Sequence, residues 1–139
     1  MAYTGDVPAN MDMTVYGSII KNTANGNFSS QIVGMKQFCV TIPSPANTMS
    51  IVFAYMYEGM TLVSLDAICA GGTSVGLTLY DQTTAYSGGS SVATLTATTA
   101  GDGTTFSTGI SAGHVLNVTV GTVTGSVTTV TIIVTGCVT

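Results

Sequence analysis

Residues 126–135 read Ser-Val-Thr-Thr-Val-Thr-Ile-Ile-Val-Thr, and an apolar β-branched residue occupies every second position from 130 to 134. Side chains of a β-strand point alternately to its two faces, so Val130, Ile132 and Val134 share one face. Val, Ile and Thr also fit the pleated, half-buried surface of a sheet. This stretch therefore predicts a strand that turns one face towards a hydrophobic core.

The composition around this stretch is of the same kind. Residues 104–139 contain no Lys, Arg, Asp or Glu, and only 6% of the 139 residues are charged. Soluble domains usually carry about 25% charged residues. The length suits one domain with a real core. Such a chain builds sheet and packing surface, and no active site is legible in it.

Turn residues divide the chain into short alternating segments, which predict an all-β antiparallel sandwich or jelly roll of about eight strands. The candidate strands are residues 13–21, 28–35, 37–42, 50–57, 61–69, 75–80, 92–98, 104–107, 115–121 and 127–135. The residues predicted to face inward are Val63, Leu65, Ala67 and Cys69, then Val75, Leu77 and Leu79, then Leu116, Val118 and Val120.

Several connections have clear turn chemistry. Asn25-Gly26 favours a type I′ hairpin turn, because both residues tolerate positive φ. Pro43 and Pro45 lack an amide donor, so the strand before them ends there or lies at a sheet edge. Residues 81–91 are polar and predict an exposed loop with a hinge at Gly88-Gly89.

Residues 50–57 are apolar on both predicted faces. This indicates a central strand covered on both sides, or one face reserved for a neighbouring subunit. One alternating set is predicted to form the subunit contact and consists of Ile51, Phe53, Tyr55 and Tyr57. The opposite set consists of Val52, Ala54 and Met56.

The charge balance excludes two classes of partner. Lys21 and Lys36 are the only cations, there is no Arg, and the net charge is −4. Nucleic-acid binding needs several cations to displace counterions from phosphate, and anionic membrane surfaces attract basic segments. We therefore predict no nucleic-acid and no membrane partner.

The mean hydropathy of +0.53 raises the question of a membrane span. Pro43 and Pro45 interrupt the long uncharged stretch 37–57, so it is not one apolar helix of about 20 residues. The first residues contain neither the basic nor the apolar segment of a signal peptide. We expect a soluble protein that is not exported by that route.

No catalytic, cofactor-binding or metal-ligating residue is predicted. His114 follows Ser111-Ala-Gly113 beside no acid in sequence, so it is interpreted as a polar turn residue. Acyl transfer by Ser would lack its base. Asp102, between two glycines, is the best single calcium candidate, although Asp-Gly ordinarily forms a turn. The six carboxylates are scattered singly, at Asp6, Asp12, Glu58, Asp66, Asp81 and Asp102.

The three cysteines suggest packing instead of chemistry. Cys39, Cys69 and Cys137 are far apart and lack Cys-x-x-Cys spacing, so zinc and redox motifs have no support. Cys commonly behaves as a small buried hydrophobe, which is the prediction for all three.

Self-assembly would explain how so few charges keep the protein in solution. Edge strands usually carry Lys or Pro to block further pairing, and this chain has little Lys to use in that way. We predict that residues 49–139 form the jelly-roll sandwich. Residues 1–48 are predicted to supply N-terminal strands or an arm that contacts neighbouring subunits, within one compact domain overall.

Three stretches carry a family resemblance, namely residues 58–79, 110–120 and 123–134. Their order comprises a strand ending in Gly71-Gly-Thr-Ser74, a serine-rich loop, an Ala112-Gly113 turn and a closing Thr124-Gly-Ser126 hairpin. From about residue 50 to residue 134 the chain resembles a jelly-roll domain of tailed-bacteriophage virion proteins. Members of that family often have an acid at the position of His114, so the chain departs from the pattern there.

The resemblance implies a non-enzymatic virion protein. Family members decorate or cement capsids, often as trimers, or form modules of tail fibres and spikes. The short chain favours a complete small decoration or cement protein, made in the host bacterial cytoplasm. It would bind the major capsid protein and itself on the capsid exterior, and would need no cofactor.

Two alternatives remain open. One is a tail-fibre adaptor or receptor-binding module that holds a glycan with Tyr80 and Tyr86, although these rings could equally cover the end of the sandwich. The other is a hydrolase of cell-wall polysaccharide, which would need two convergent carboxylates such as Asp66 or Asp81.

Overall fold

The computed structural model describes residues 13–15, 18–22 and 28–138, and it describes side chains from residue 34 onward. The strands are β1 (Met13–Val15), β2 (Ser18–Asn22), β3 (Phe28–Val33), β4 (Met35–Pro43), β5 (Ser50–Tyr55), β6 (Met60–Gly71), β7 (Ser74–Thr84), β8 (Ser87–Thr98), β9 (Asp102–Ile110), β10 (Val115–Thr124) and β11 (Val127–Val138). No helix in the described part of the chain could cross a membrane.

Eight of these strands form two four-stranded antiparallel sheets. The first sheet has the order β4-β11-β6-β9 and the second has the order β5-β10-β7-β8. The first strand of the sandwich thus lies beside the last, and the second lies beside the next to last. This nested pairing is that of a jelly roll, which combines two Greek keys. The predicted fold class is confirmed.

The core lies between the two sheets and is built from the alternating residues that the sequence indicates. Val130, Ile132 and Val134 are fully buried on β11, which lies between β4 and β6. Three other predicted inward residues, Leu116, Val118 and Val120, are fully buried on β10. Because β10 and β11 each pair on both sides, their inward faces form the centre of the core.

A bulge in β6 corrects one predicted inward residue. Leu65 and Cys69 are buried as predicted, but Val63 is only partly buried and Leu62 is fully buried instead. The register of β6 shifts between Leu62 and Ser64 against both neighbouring strands. The extra residue reverses the alternation at this point, as a β-bulge does.

A second bulge changes the interpretation of β5. This strand lies at the edge of its sheet, so of the two interpretations the central position is wrong, and a face reserved for a neighbouring subunit stays a prediction. Ala54 pairs with Leu116 and Val52 pairs with Asn117, which leaves Phe53 as the extra residue. The two predicted alternating sets are therefore interrupted within the strand.

The predicted exposed loop at residues 81–91 is also wrong. β7 continues to Thr84 and β8 begins at Ser87, so only Ala85 and Tyr86 connect them. These polar residues form the outer part of a long β-hairpin whose side chains are largely exposed. A hairpin that projects beyond the core has polar residues on both faces, so it lacks the apolar alternation by which a strand is recognised. For this reason the polar sequence was interpreted as a loop.

The N-terminal region contributes to two sheets. Residues 13–21, predicted as one strand, contain β1 and part of β2, which pair antiparallel in a three-stranded sheet of order β1-β2-β3. The pairing of β2 with β3 agrees with the predicted hairpin, although Asn25-Gly26 lies outside the described residues. β4, at residues 35–43, is an edge strand of the sandwich and ends at a proline, as predicted.

The first sandwich strand therefore lies inside the segment 1–48 that the sequence assigns to N-terminal strands or an arm. The boundary of the sandwich is Met35 in place of residue 49. Contact of the preceding residues with a neighbouring subunit remains a prediction.

Candidate functional site

The connections between strands lie at two ends of the sandwich that differ in composition. We call one the tyrosine end; it comprises residues 35–36, 55–59, 85–86 and 111–114. Strand pairing places these segments at the same end, because Tyr55 and Gln82 both lie opposite Val115, and Met60 lies opposite Ile110. The other, the glycine end, comprises residues 44–49, 71–73, 99–101 and 125–126.

The glycine end is closed by backbone contacts. Gly72 and Gly125 have φ of 61° and 79°, a region that favours glycine. A Cβ on Gly125 would lie 2.9 Å from the Cα of Gly72, and one on Gly72 would lie 2.7 Å from the amide nitrogen of Val127. In the crossing between β4 and β5, the Asn47 side chain accepts a hydrogen bond of 2.9 Å from the Val123 amide. The side chains that this end exposes, such as Ala46, Asn47 and Thr99, are small or polar.

The tyrosine end instead exposes large apolar side chains. Tyr57 is 89% exposed, Tyr86 is 61% exposed, and Met35 and Tyr55 are about half exposed. The rings of Tyr55 and Tyr57 meet edge to face, with centroids 4.8 Å apart and planes at 68°. Exposed aromatic rings of this kind are enriched at protein interfaces.

An ion pair lies beside these rings. The Lys36 ammonium donates to the Glu58 carboxylate, and both side chains are nearly half exposed. A small cleft of about 90 Å³ separates the pair from the rings; it is lined by Lys36, Phe38, Tyr55, Met56, Tyr57, Glu58 and Met60. Because the two charges neutralise each other, the surface around Tyr57 is close to neutral.

Two backbone hydrogen bonds hold the segment that carries Tyr57. The Met56 amide donates to the His114 carbonyl at 2.8 Å, and the Gly113 amide donates to the Met56 carbonyl at 2.7 Å. His114 is in turn fixed by its ring, whose Nδ1 lies 2.7 Å from Oδ1 of Asp81. The backbone beside Tyr57 is thus tied to β7 through His114.

The structure confirms His114 as a turn residue and adds a partner that the sequence did not reveal. Its amide donates to the Ser111 carbonyl at 3.3 Å, within the turn before β10. Asp81 is 33 residues away along the chain, and only the pairing of β7 with β10 brings the two together. The contact between the side chains of His114 and Asp81 is therefore the feature that the sequence did not indicate.

The four predicted contact residues of the β5 segment do not share one face. Ile51 and Phe53 are partly buried and pack against the core, whereas Tyr55 and Tyr57 are exposed. The bulge at Phe53 is the physical reason. A role of these residues in subunit contact stays a prediction, and the exposed tyrosines are the members placed to make such a contact.

Tyr80 and Tyr86 occupy different surroundings. Tyr80 is partly buried within β7, opposite Asn117 of β10 and Ser91 of β8. Tyr86 lies at the hairpin tip with φ of 66°, and its amide donates to Oε1 of Gln82 at 3.0 Å. Glycan binding by these two residues also stays a prediction.

The other carboxylates of the sandwich have structural partners. Asp102 accepts hydrogen bonds from the amide and the hydroxyl of Thr98, at 2.7 and 2.6 Å, so it forms the expected turn. Asp66 accepts from the Ser64 hydroxyl at 2.8 Å. Asp66 and Asp81 belong to different sheets. Among the described residues, no group of three or more His, Cys, Asp or Glu could hold a metal ion.

The cysteines differ from the prediction at one position. Cys69 is buried as expected, Cys137 is partly buried, and Cys39 is exposed. Cys39 is on the outward face of β4 because Phe38, Val40 and Ile42 take the inward positions. The Cys137 thiol lies 2.8 Å from Sδ of Met35.

The outer face of the first sheet contains an open depression of about 350 Å³. Ile68, which is 48% exposed, lines it together with Ile133. The other lining residues are Asp66, Ala67, Gly101, Asp102, Gly103 and Thr131. We call this feature the isoleucine depression. A depression on the second sheet, of about 320 Å³, is lined mainly by Thr and Gly.

Comparison with protein-family models and with curated proteins gives no match. Among solved structures, one similar chain comes from the structure of infectious bursal disease virus, Gx strain, with 12% sequence identity and a TM-score of 0.41. The similarity covers 92% of this chain and 41% of the viral one, so the chain spans less than half of it. No residue role is transferred from that protein.

Proposed function

We propose that this chain is a non-enzymatic structural subunit of a virion, which binds the outer capsid surface as a decoration or cement protein and stabilises the head. The jelly roll is one of the folds from which viral capsid and lectin domains are built. The same fold occurs in proteins of many functions, so the assignment rests on the surface residues of this chain.

The observation that carries the proposal is the gathering of exposed aromatic rings at one end of the sandwich. Tyr55, Tyr57 and Tyr86 project there, while the glycine end is closed by backbone. The carboxylates of the sandwich and its single His are engaged in turns or pairs. A surface built in this way suits lasting contact with another protein.

The major capsid protein is the proposed partner, and attachment should depend little on salt. Lys36 and Glu58 neutralise each other beside the aromatic rings, so few unpaired charges are available for long-range attraction. We expect the protein to remain on particles when the salt concentration is raised from about 0.1 to 1 M. Release by moderate salt would contradict an apolar attachment.

We further propose that the subunit forms a homotrimer. The chain has few charges to protect exposed strand edges, and β5 carries neither Lys nor Pro. Native mass spectrometry at micromolar concentration should show a trimer. A monomer under these conditions would count against self-assembly, and it would leave capsid binding to be tested separately.

Immunogold electron microscopy of phage particles from the source tests the location on the virion. Gold over the head is the expected result and would support decoration. Gold confined to the tail would contradict decoration of the head and support a role in adhesion. Absence of gold, with the epitope shown to be accessible, would contradict a virion role.

One observation favours a second function, namely adhesion as a tail-fibre adaptor or glycan-binding module. Tyr86 is a bulky residue with positive φ, and such strained residues cluster at functional sites. A glycan array would test this with the wild type and Tyr86→Ala, and with Tyr80→Ala as the matched tyrosine variant. Binding that is lost only in Tyr86→Ala would favour adhesion by the hairpin tip.

A further inference from the structure

We propose that the isoleucine depression receives a Lys or Arg side chain of a partner protein. The aliphatic stem of that side chain would lie against the apolar lining, and its charged head would lie at the carboxylates. This contact is separate from the tyrosine end and goes beyond the attachment proposed above. It rests on the proposed function only for the expectation that the partner belongs to the virion.

Two rows of paired residues on the outer face of the first sheet form the depression. In the first row, Asp66 of β6 lies between Ile133 of β11 and Gly103 of β9. In the second row, Ile68 of β6 lies opposite Thr131 of β11. Residues directly opposite each other in a sheet share one face, so the aliphatic side chains and the Asp66 carboxylate lie on the same side. The depression therefore combines exposed apolar surface with an acid.

The Asp66 carboxylate is directed towards β9. A Cβ on Gly103 would collide with its Oδ1, so the carboxylate takes the space that a side chain at position 103 would fill. Its Oδ2 accepts a hydrogen bond of 2.8 Å from the Ser64 hydroxyl, and Oδ1 accepts none from the described residues. One carboxylate oxygen at the edge of the isoleucine surface is therefore open to a donor from another molecule.

The negative charge of the depression is not balanced within the described part of the chain. The second acid, Asp102, is bound by the amide and hydroxyl of Thr98, and these neutral donors leave its charge in place. The one Lys side chain that the structure describes, Lys36, pairs with Glu58 at the tyrosine end. The net charge of the whole chain is −4. The depression is thus complementary in charge to a cation on a different molecule.

A long cationic side chain matches both features of the depression. Lys and Arg lay their methylene stems along apolar surface and keep the charged head at its edge. Ile68 and Ile133 offer that surface, and Oδ1 of Asp66 offers the acceptor. The volume of about 350 Å³ exceeds the roughly 150 Å³ of a cavity that binds benzene. One exposed ion pair contributes little, so attachment through the tyrosine end stays largely insensitive to salt.

Other occupants fit this surface less well. An apolar side chain would cover the Asp66 carboxylate without giving it a partner, and burial of an unpaired charge is costly. A Ca²⁺ ion takes about six to eight oxygen ligands, whereas no group of three or more His, Cys, Asp or Glu among the described residues could hold a metal. A second copy would bring a net charge of −4 to a negative surface. The occupant is therefore expected on a different protein with a basic surface.

Methyl NMR of the full chain, labelled at the Ile δ1 positions, tests the contact. The probes are capped glycine tripeptides with arginine, lysine or norleucine as the central residue, and norleucine has an aliphatic stem without a charge. The arginine or the lysine peptide should shift the methyls of Ile68 and Ile133 saturably and leave the buried methyl of Ile110 unchanged. The norleucine peptide should bind about fivefold more weakly, because it lacks the ion pair.

Two variants separate the local charge from the charge of the whole chain. Asp66→Asn keeps the shape of the side chain and should weaken binding of the cationic peptide about fivefold. Glu58→Gln is the matched control, because it removes one carboxylate at the tyrosine end and should leave binding unchanged. Dispersed methyl spectra verify that each variant is folded. If Asp66→Asn does not fold, the comparison of the cationic and norleucine peptides on the wild type decides.

Several outcomes would overturn the inference. They are equal binding of the cationic and norleucine peptides, no shift at Ile68, and an Asp66→Asn variant that binds as tightly as the wild type. Displacement of the peptides by Ca²⁺ would indicate a metal site instead, and shifts that depend on protein concentration alone would indicate a second copy.

The result is independent of gold labelling on virions. Peptide binding at the depression without any labelling of virions would keep this contact and contradict the proposed function. Labelling of the phage head without peptide binding would do the reverse.

Discussion

The tyrosine end and the glycine end close the same sandwich with opposite kinds of residue. At the glycine end, Gly72 and Gly125 allow two connections to touch through their backbones. At the tyrosine end, the rings of Tyr57 and Tyr86 project from short connections into solvent. The difference teaches that the glycine end contributes close backbone packing between connections, whereas the tyrosine end exposes large side chains that are available for contact. Substitutions at the two ends should therefore separate stability from assembly.

The largest effect on stability is expected for β11, because this strand runs from the glycine end to the tyrosine end. Deletion of residues 130–139 removes most of β11, which pairs with β4 and β6 and contributes Val130, Ile132 and Val134 to the core. Each fully buried Val or Ile contributes about 1.5–3 kcal/mol against a net stability of roughly 5–15 kcal/mol. The truncated chain should show no cooperative melt by circular dichroism. A melt close to that of the full chain would contradict the central position of β11.

At the glycine end, Gly72→Ala should destabilise the fold strongly. The new Cβ would meet the backbone of Val127 in a left-handed conformation, at an expected cost of about 2–4 kcal/mol in urea unfolding. Gly109→Ala is the matched control, because a Cβ there meets no atom within 4 Å. It should change stability by less than about 0.5 kcal/mol. Equal losses in the two variants would refute the close approach at this end.

At the tyrosine end, Tyr86→Gly should stabilise the protein. The left-handed conformation costs an L-residue about 1–2 kcal/mol, and glycine avoids this cost. Glycine also has more conformational freedom in the unfolded chain, which offsets part of the benefit, so the expected gain in stability is about 0.5–1 kcal/mol. Tyr86→Ala removes the same ring but keeps the strained backbone, so it should show no such gain. Chemical unfolding of both variants distinguishes relief of strain from loss of the ring.

The smallest change in stability is expected for Tyr57→Ala. Its ring is nearly free of the sandwich, so the free energy of unfolding should change by less than about 0.5 kcal/mol when measured on dilute monomer. Leu79→Ala, at a fully buried position, should by contrast cost about 2–5 kcal/mol. A large loss for Tyr57→Ala would mean that the tyrosine end is also a structural element.

The sequence predicted those parts of the fold in which strict alternation continues without interruption. Val130, Ile132 and Val134 are an example, since each is fully buried. The bulges at Val63 and Phe53 could not be predicted in this way, because an extra residue leaves no mark in the pattern yet reverses every side chain beyond it.

The candidate surface was less accessible to prediction than the fold. Tyr57 was named as a contact residue from its place in an apolar run. The groups that bond its two chain neighbours, His114 to Met56 and Lys36 to Glu58, lie far away along the sequence. The hairpin at Thr84–Ser87 was missed because its residues are polar on both faces. Features that depend on which strands become neighbours need the topology before they can be recognised.

The place of β11 also has a kinetic consequence. It is synthesised after every other strand of the sandwich, yet it fills the position between β4 and β6, with Ile132 opposite both Val40 and Ala67. Until it emerges from the ribosome, those two strands remain without a common neighbour, and their uncharged apolar residues are open to pairing with other nascent chains. Pairing across such long sequence separations is slow, typically requiring milliseconds to seconds. The yield of native protein in the cell should therefore be governed by chaperone supply and growth temperature during this interval.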